Sequence, residues 1–305
     1  MDASSQSPLV ALPLDPISPR LPIGEPFTPA MAARAGIGRA VLDRLHRDGR
    51  VRRLLRGVYL DATARSSVAV RARALALVVG ERQLVVGQTA AWLHGVEVVQ
   101  PDPDAPVPIE VHGRGRSVQC GGGRSCAYAG HDLQTIEGVR CTTPLRTALD
   151  LGRWLPPDRA LAALDGLLRL RVFSHAAVMA ELPRFGGSPG VIQLRELAAL
   201  ADGRADGPAE SVLRLHWLDS RLPTPTPGLV VPAHGGRVRL ALGLEVHRFG
   251  AVLAGRLSDA ERRALSSLGW RVVVLGPERV LRSDPVFLVG HLEREFHLHL
   301  LAQVG

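Results

Sequence analysis

The side chains best equipped for chemistry in this sequence are arginines, and they crowd into one stretch. Between Phe27 and Leu60 stand Arg34, Arg39, Arg44, Arg47, Arg50, Arg52, Arg53 and Arg56 against Asp43 and Asp48 alone. Eight cations against two anions give this stretch +6 of the chain's net +8. Guanidinium groups bond phosphate oxygens and guanine edges in pairs, so a duplex backbone is the partner such a concentration suits. Spacing sorts the set in two. Arg39, Arg44 and Arg47 fall on a predicted helix, from which they would enter or flank a major groove. Arg50, Arg52, Arg53 and Arg56 fall in a predicted hairpin, from which they would contact phosphate. The plainer alternative is a solvated face in an arginine-rich protein.

Metal and general-base chemistry is less well supported. Cys120, Cys126, His112 and His131 have no C-x-x-C and no H-x3–5-H spacing, so they fit no common zinc site. On the last predicted helix His291, His297 and His299 do not share a face. His94 stands at a helix end and reads as a histidine held by backbone rather than a base. No metal ligand and no cofactor is assigned.

The elements that position the arginines follow from local signals. Thr28 caps a short helix with Pro29 at its first position. Gly36 ends it and Gly38 falls in the turn. A second helix over Arg39–Asp48 places Val41, Leu42 and Leu45 on one face. Gly49 stops it, and Val51–Leu60, with Gly57 in the middle, reads as a two-stranded wing. The segment before Phe27 holds six prolines and reads as a disordered leader, residues 1–26.

Further on, Ser66–Val79 is expected as a helix with Arg71 and Arg73 outward, Leu84–Val86 as a short strand and Thr89–His94 as a helix. Strands are expected at Ile109–His112, Cys126–Tyr128 and Val139–Thr142. Helices follow over Pro144–Arg153, Asp158–Leu170, Ser174–Leu182 and Val191–Leu200. From Pro208 comes an amphipathic helix, Glu210–Ser220. Three strands follow, Leu229–Val231, Val238–Leu242 and Phe249–Leu253. A helix capped by Ser258 with Glu261 in the capping-box position comes next, then a buried strand, Trp270–Leu275, and a last helix over Asp284–Ala302. The fold class is α+β or α/β over several domains: winged helix-turn-helix at 27–62, a mixed middle region at 63–205 and an α/β domain at 206–305.

Composition narrows the class. Hydrophobic residues make up 46% of 305, ample for real cores, and aromatic residues only 4%, which argues against a base-stacking single-strand binder. The sequence has no lysine, and with its Ala, Gly and Leu content reads as the product of a GC-rich bacterial genome. It lacks a charge-free apolar run of membrane-spanning length and the order of a secretory signal. An odd number of cysteines suits a reduced, cytoplasmic protein.

FTPAMAARAGI followed by R-x-x-L-D-R-L-H-R-D-G-R-V-R-R-L-L-R-G-V-Y-L resembles the N-terminal winged helix of the AbiEi-type antitoxins of type IV toxin–antitoxin systems. Arg53, Arg56, Gly57, Val58 and Tyr59 carry the end of that pattern. The resemblance implies operator binding, repression of the antitoxin's own promoter and a toxin partner. The proline-rich segment before Phe27 departs from it, since it cannot form an ordinary first helix. QTAAWLHG (Gln88–Gly95) and VRCTTPLRTALDL (Val139–Leu151) are similar to the segments that follow the winged helix in actinobacterial relatives.

AES-x-LR at Ala209–Arg214, HRFGAVLAG at His247–Gly255 and LGWRVVVL at Leu268–Leu275 resemble the PD-(D/E)XK nuclease fold in its very-short-patch-repair-like branch. That branch holds Mg²⁺ with acids on two central strands. Carried over by position, those acids fall on Arg239, Val252 and Ala254; Glu210 alone keeps a carboxylate. The alternative reading takes Glu245, with His247 nearby, as the catalytic acid. The resemblance thus implies a nuclease fold without its metal site, serving packing, dimerisation or partner binding. The expected function is a DNA-binding regulator of antitoxin type with double-stranded DNA, a toxin or other protein, and a second copy as partners. The alternatives are a Mg²⁺-dependent endonuclease targeted by the winged helix, and a scaffold whose basic module docks an acidic protein.

Overall fold

The computed structural model describes residues 21, 24–98, 106–113, 127–233 and 236–304. The chain divides into two units, one ending at Val78 and one beginning at Val79.

In the first unit Thr28 Oγ1 accepts from Met31 N at 3.3 Å and Pro29 opens α1 (Pro29–Arg34). Gly36, at φ +82°, reverses the chain where a side chain would be strained, and Ile37 N then donates to Ala32 O at 2.9 Å. Gly38 precedes α2 (Arg39–Arg47) without a side-chain cap. Gly49, at φ +67°, ends α2 and leads into the antiparallel pair β1 (Val51–Leu55) and β2 (Val58–Asp61), turned through Arg56 and Gly57. Phe27 adds a single bridge to Tyr59 on the other side of β2. Leu21, Phe27, Ala32, Ile37, Leu42, Leu45, Val51 and Tyr59 form the core.

Three expectations need correction here. Leu21 is buried in that core although it falls in the expected leader; residues 1–20, 22 and 23 lie outside the described residues. Val41 is 48% exposed and does not share the inward face of Leu42 and Leu45. The third helix, α3 (Val68–Ala76), is shorter than Ser66–Val79 because Ser67 caps it, and Arg71 points inward, donating from Nε to Ser66 Oγ at 3.1 Å. Arg73 stays outward.

The second unit opens with β3 (Leu84–Val85), α4 (Gly87–Leu93), β4 (Val111–His112), β5 (Leu133–Ile136) and β6 (Val139–Thr142). Their sheet runs β4-β3-β6-β5, with β3 parallel to β6 and the other pairs antiparallel. β5 was not expected from sequence. The strand expected at Cys126–Tyr128 is absent over Ala127 and Tyr128, and Cys126 lies outside the described residues. Helices α5 (Pro144–Trp154), α6 (Pro157–Arg169), α7 (His175–Glu181) and α8 (Val191–Leu200) then pack around Leu149, Leu161, Leu164 and Leu194.

Helix α9 (Pro208–Leu218) is buried from Ala209 to Trp217 and serves two cores. Leu215 joins the helical one, and Val212, Leu213 and Trp217 join the next. The strands that follow are β7 (Thr226–Pro227), β8 (Val230–Ala233), β9 (Gly236–Arg239), β10 (Leu242–Leu244) and β11 (Phe249–Leu253). The expected strand Val238–Leu242 is therefore split. The physical cause is a bend in one hairpin. Pairs Val231↔Val238 and Leu242↔Pro227 share a single register, and Leu240 N→Leu229 O and Gly228 N→Ala241 O carry it through the bend at Gly228, φ +62°. One half of the hairpin packs on Val252 and Leu265, the other joins the main sheet.

After α10 (Asp259–Ser267), whose Ser258–Glu261 capping box is formed, β12 (Arg271–Leu275) lies parallel to β11. The main sheet is thus β12-β11-β10-β7. β12 was expected as a buried strand, but the face that carries Val272 and Val274 is only partly covered on this edge strand, and Arg271 is exposed at its first position. A short helix not expected from sequence, α11 (Pro277–Arg282), precedes α12 (Pro285–Val304). Among the described residues no helix is long and apolar enough to cross a membrane.

Candidate nucleic-acid interface

The basic face is built by the turn geometry of the first unit. With Leu42 and Leu45 inward, the helical period of about 100° per residue turns Ala40, Asp43, Arg44 and Arg47 directly outward and Arg39 to their flank. Arg39, Arg44 and Arg47 are all exposed. Arg39 Nε lies 3.6 Å from Asp43 Oδ1, one turn on. His46 Nδ1 stands 3.2 Å from the Val51 carbonyl, and its ring meets Tyr59 edge-on at 5.9 Å, which ties the end of α2 to the hairpin.

The hairpin arginines are not equivalent. Arg53 and Arg56 are exposed, Arg56 at the tip beside Gly57. Gly57 takes φ +81°, a conformation that would strain a side chain. Arg50 and Arg52 are half-buried, and Arg52 donates from Nη2 to the Ala64 carbonyl at 2.7 Å. Arg53, Arg56 and the outward face of α2 therefore present the freer guanidiniums, while Arg52 also braces the chain beyond β2.

The positions that align with the metal-binding acids of the nuclease fold lie in the second unit. Arg239, at the end of β9, grips Glu210 with two parallel bonds, Nη1→Oε1 at 2.9 Å and Nη2→Oε2 at 2.7 Å. Glu210 is 4% exposed and also accepts from Asp206 N. Val252 is buried among Val231, Val238 and Leu240. Ala254 and Glu245 are exposed, Glu245 in the turn after β10. The one retained carboxylate is thus neutralised by an arginine. Among the described residues no three His, Cys, Asp or Glu side chains converge as a metal set. Cys120 and Cys126 lie outside the described residues.

Sequence reading missed the largest polar cluster among the described residues. Asp132 accepts from Arg146 Nη1 at 2.7 Å and from Arg184 Nη1 at 3.1 Å and Nη2 at 2.9 Å. Arg146 also bonds Asp150 at 3.0 Å, and Asp150 bonds Arg153 at 2.7 Å. Arg146 stacks over Tyr128, and Arg153 over Trp154 and Phe185. Burial works against ionising Asp132, but the Arg184 and Ala129 hydrogen bonds and the charges of Arg146 and Arg184 outweigh it and hold the carboxyl below its ordinary value. The i, i+4 and i, i+3 spacing of Arg146, Asp150 and Arg153 in PLRTALDLGR was a readable signal. The Asp132 and Arg184 partners, far away in sequence, were not. His94 behaves as expected: its ring stands 2.8 Å from the Thr142 carbonyl, and burial lowers its pKa against that bond.

Residues 24–60 match a family described as "Transcriptional regulator, AbiEi antitoxin". Residues 83–197 match one described as "AbiEi antitoxin C-terminal domain". Two uncharacterized proteins, from two strains of Mycobacterium tuberculosis, are each 31% identical over 288 residues, 88% of this chain and 99% of theirs. The chain belongs to the AbiEi-type antitoxin family. No solved structure matches it significantly. The AbiEi matches cover the helix–turn–helix and hairpin, and separately the β3–α8 region that holds the Asp132 cluster. Neither reaches α9 and the sheet after it, where the nuclease-like resemblance was drawn.

Proposed function

We propose that this AbiEi-type protein is a DNA-binding transcriptional regulator of antitoxin type, whose first unit acts as a winged helix on duplex DNA. The observation that carries the reading is the outward arginine face of α2 beside the exposed Arg53 and Arg56 of the hairpin. Arg39, Arg44 and Arg47 enter or flank the major groove, and Arg50, Arg52, Arg53 and Arg56 contact phosphate. The duplex-binding domain is 27–62, braced by α3. A toxin or other protein, or a second copy, is the partner for the rest of the chain, which works in the cytoplasm.

For 206–305 the proposal is a nuclease-like fold that has lost its metal site. The order of α9, a bent hairpin, β11, α10 and the parallel strand β12 supports this, as does the Arg239–Glu210 pair. An arginine that occupies the only retained carboxylate excludes a divalent cation by charge and by position. The full chain incubated with supercoiled plasmid and Mg²⁺ is expected to retard it and leave it uncut. Mg²⁺-dependent nicking abolished by Glu245→Ala would make the protein an endonuclease instead.

A further inference from the structure

Asp43 is out of place on a phosphate-binding surface. It projects from the outward face of α2 among Arg39, Arg44 and Arg47, half exposed, where a carboxylate repels the duplex backbone. Asp43 stands four residues before Arg47, the favourable acid-first order on a helix, yet its carboxylate sits against Arg39, one turn N-terminal, in the less favourable order. Arg39 itself is a cation at the first position of the helix, against the dipole, and the preceding Gly38 offers no cap. The carboxylate thus supports the one arginine of this face whose place in the helix is unfavourable.

The geometry gives the pair a use. Asp43 Oδ1 approaches Arg39 from the Nε side, at 3.6 Å, and the Arg39 side chain remains 74% exposed. The nearest approach is thus at Nε and not at the Nη groups, and Arg39 stands at the start of α2, the end of a recognition helix that reaches base edges. Beside it Ala40 is small, so the backbone can approach the groove floor. A guanidinium buttressed in this way presents two parallel N–H donors, which match the O6 and N7 acceptors of guanine. The same carboxylate repels Arg39's competing site, the phosphate.

We infer that the Arg39–Asp43 pair is the specificity determinant of the duplex-binding face, with Arg39 reading a guanine and Asp43 positioning it. This inference rests on the duplex-binding reading above, and its test separates the two. The full-length protein, its Asp43→Asn variant and its Arg39→Ala variant are each used to select from a duplex pool with a randomised central segment. Affinity for the unselected pool is measured alongside, and circular dichroism checks that each variant is folded. The unaltered chain is expected to enrich guanine at one position. Asp43→Asn should bind the unselected pool at least as tightly yet lose about tenfold or more of that preference, the size of one bidentate base contact. Arg39→Ala should lose preference at the same position. Unchanged base preferences in Asp43→Asn, or weaker binding to every duplex alike, would overturn the inference and leave duplex binding standing. Failure of the unaltered chain to bind any duplex would overturn the parent reading and this one together.

Discussion

Asp132 accepts hydrogen bonds from Arg146 and Arg184, which lie 14 and 52 residues away along the chain. The folded chain nevertheless buries it to 2% exposure between two guanidiniums. Replacing it by Asn would leave the buried Arg146 with Asp150 as its remaining carboxylate, so Asp132→Asn should cost about 3 kcal/mol at neutral pH, measured by urea unfolding of the full chain. The pH dependence has a definite sign. A carboxyl whose folded pKa is depressed contributes stability above its unfolded pKa, and loses it as pH falls through the folded value. The gap between the parent protein and Asp132→Asn should therefore narrow below about pH 4, where the unfolded carboxyl protonates. A gap that is constant with pH would remove the charge from the explanation. Nothing in GHDL marks Asp132, because its partners are distant in sequence; the arginines of the first unit are legible for the opposite reason, since they cluster in sequence and surface charge needs no distant partner to be seen.

At the scale of elements, local signals located most helices. Thr28, Pro29, Gly36 and Gly49 bound α1 and α2 where their chemistry requires, and Ser258 with Glu261 opens α10. What local signals missed depended on burial. Val41 was placed inward because it is apolar, whereas two leucines suffice to seat α2 on so small a core. The hairpin after α9 was read as two plain strands, since a bend that keeps its register leaves only Gly228 as a mark. Leu42 is the side chain by which α2 is fixed, at 1% exposure. Leu42→Ala should destabilise this unit by about 3 kcal/mol, read as faster hydrogen exchange of the β1 and β2 amides. Protection unchanged in those strands would mean that α2 does not anchor the hairpin.

For the molecule as a whole, charge separates two kinds of surface. The stretch of 34 residues from Phe27 to Leu60 holds +6, and the remaining 271 share +2. In the second unit many arginines face acids: Arg146 and Arg184 on Asp132, Arg214 on Asp165, Arg239 on Glu210, Arg271 on Glu295. Those pairs hold elements together, whereas the exposed set on α2 and the hairpin is suited to an external polyanion. The family membership agrees with this division, since the regulator match falls on the basic stretch and the antitoxin C-terminal match on the internally neutralised region. The most direct test is the salt dependence of duplex binding by the full chain and by its Arg53→Ala/Arg56→Ala variant. Binding that weakens steeply with salt is predicted, with a log–log slope about 2 units shallower in the variant, near 0.9 for each lost phosphate contact. No binding at low salt, or an identical slope in both proteins, would contradict a duplex-binding role for this face.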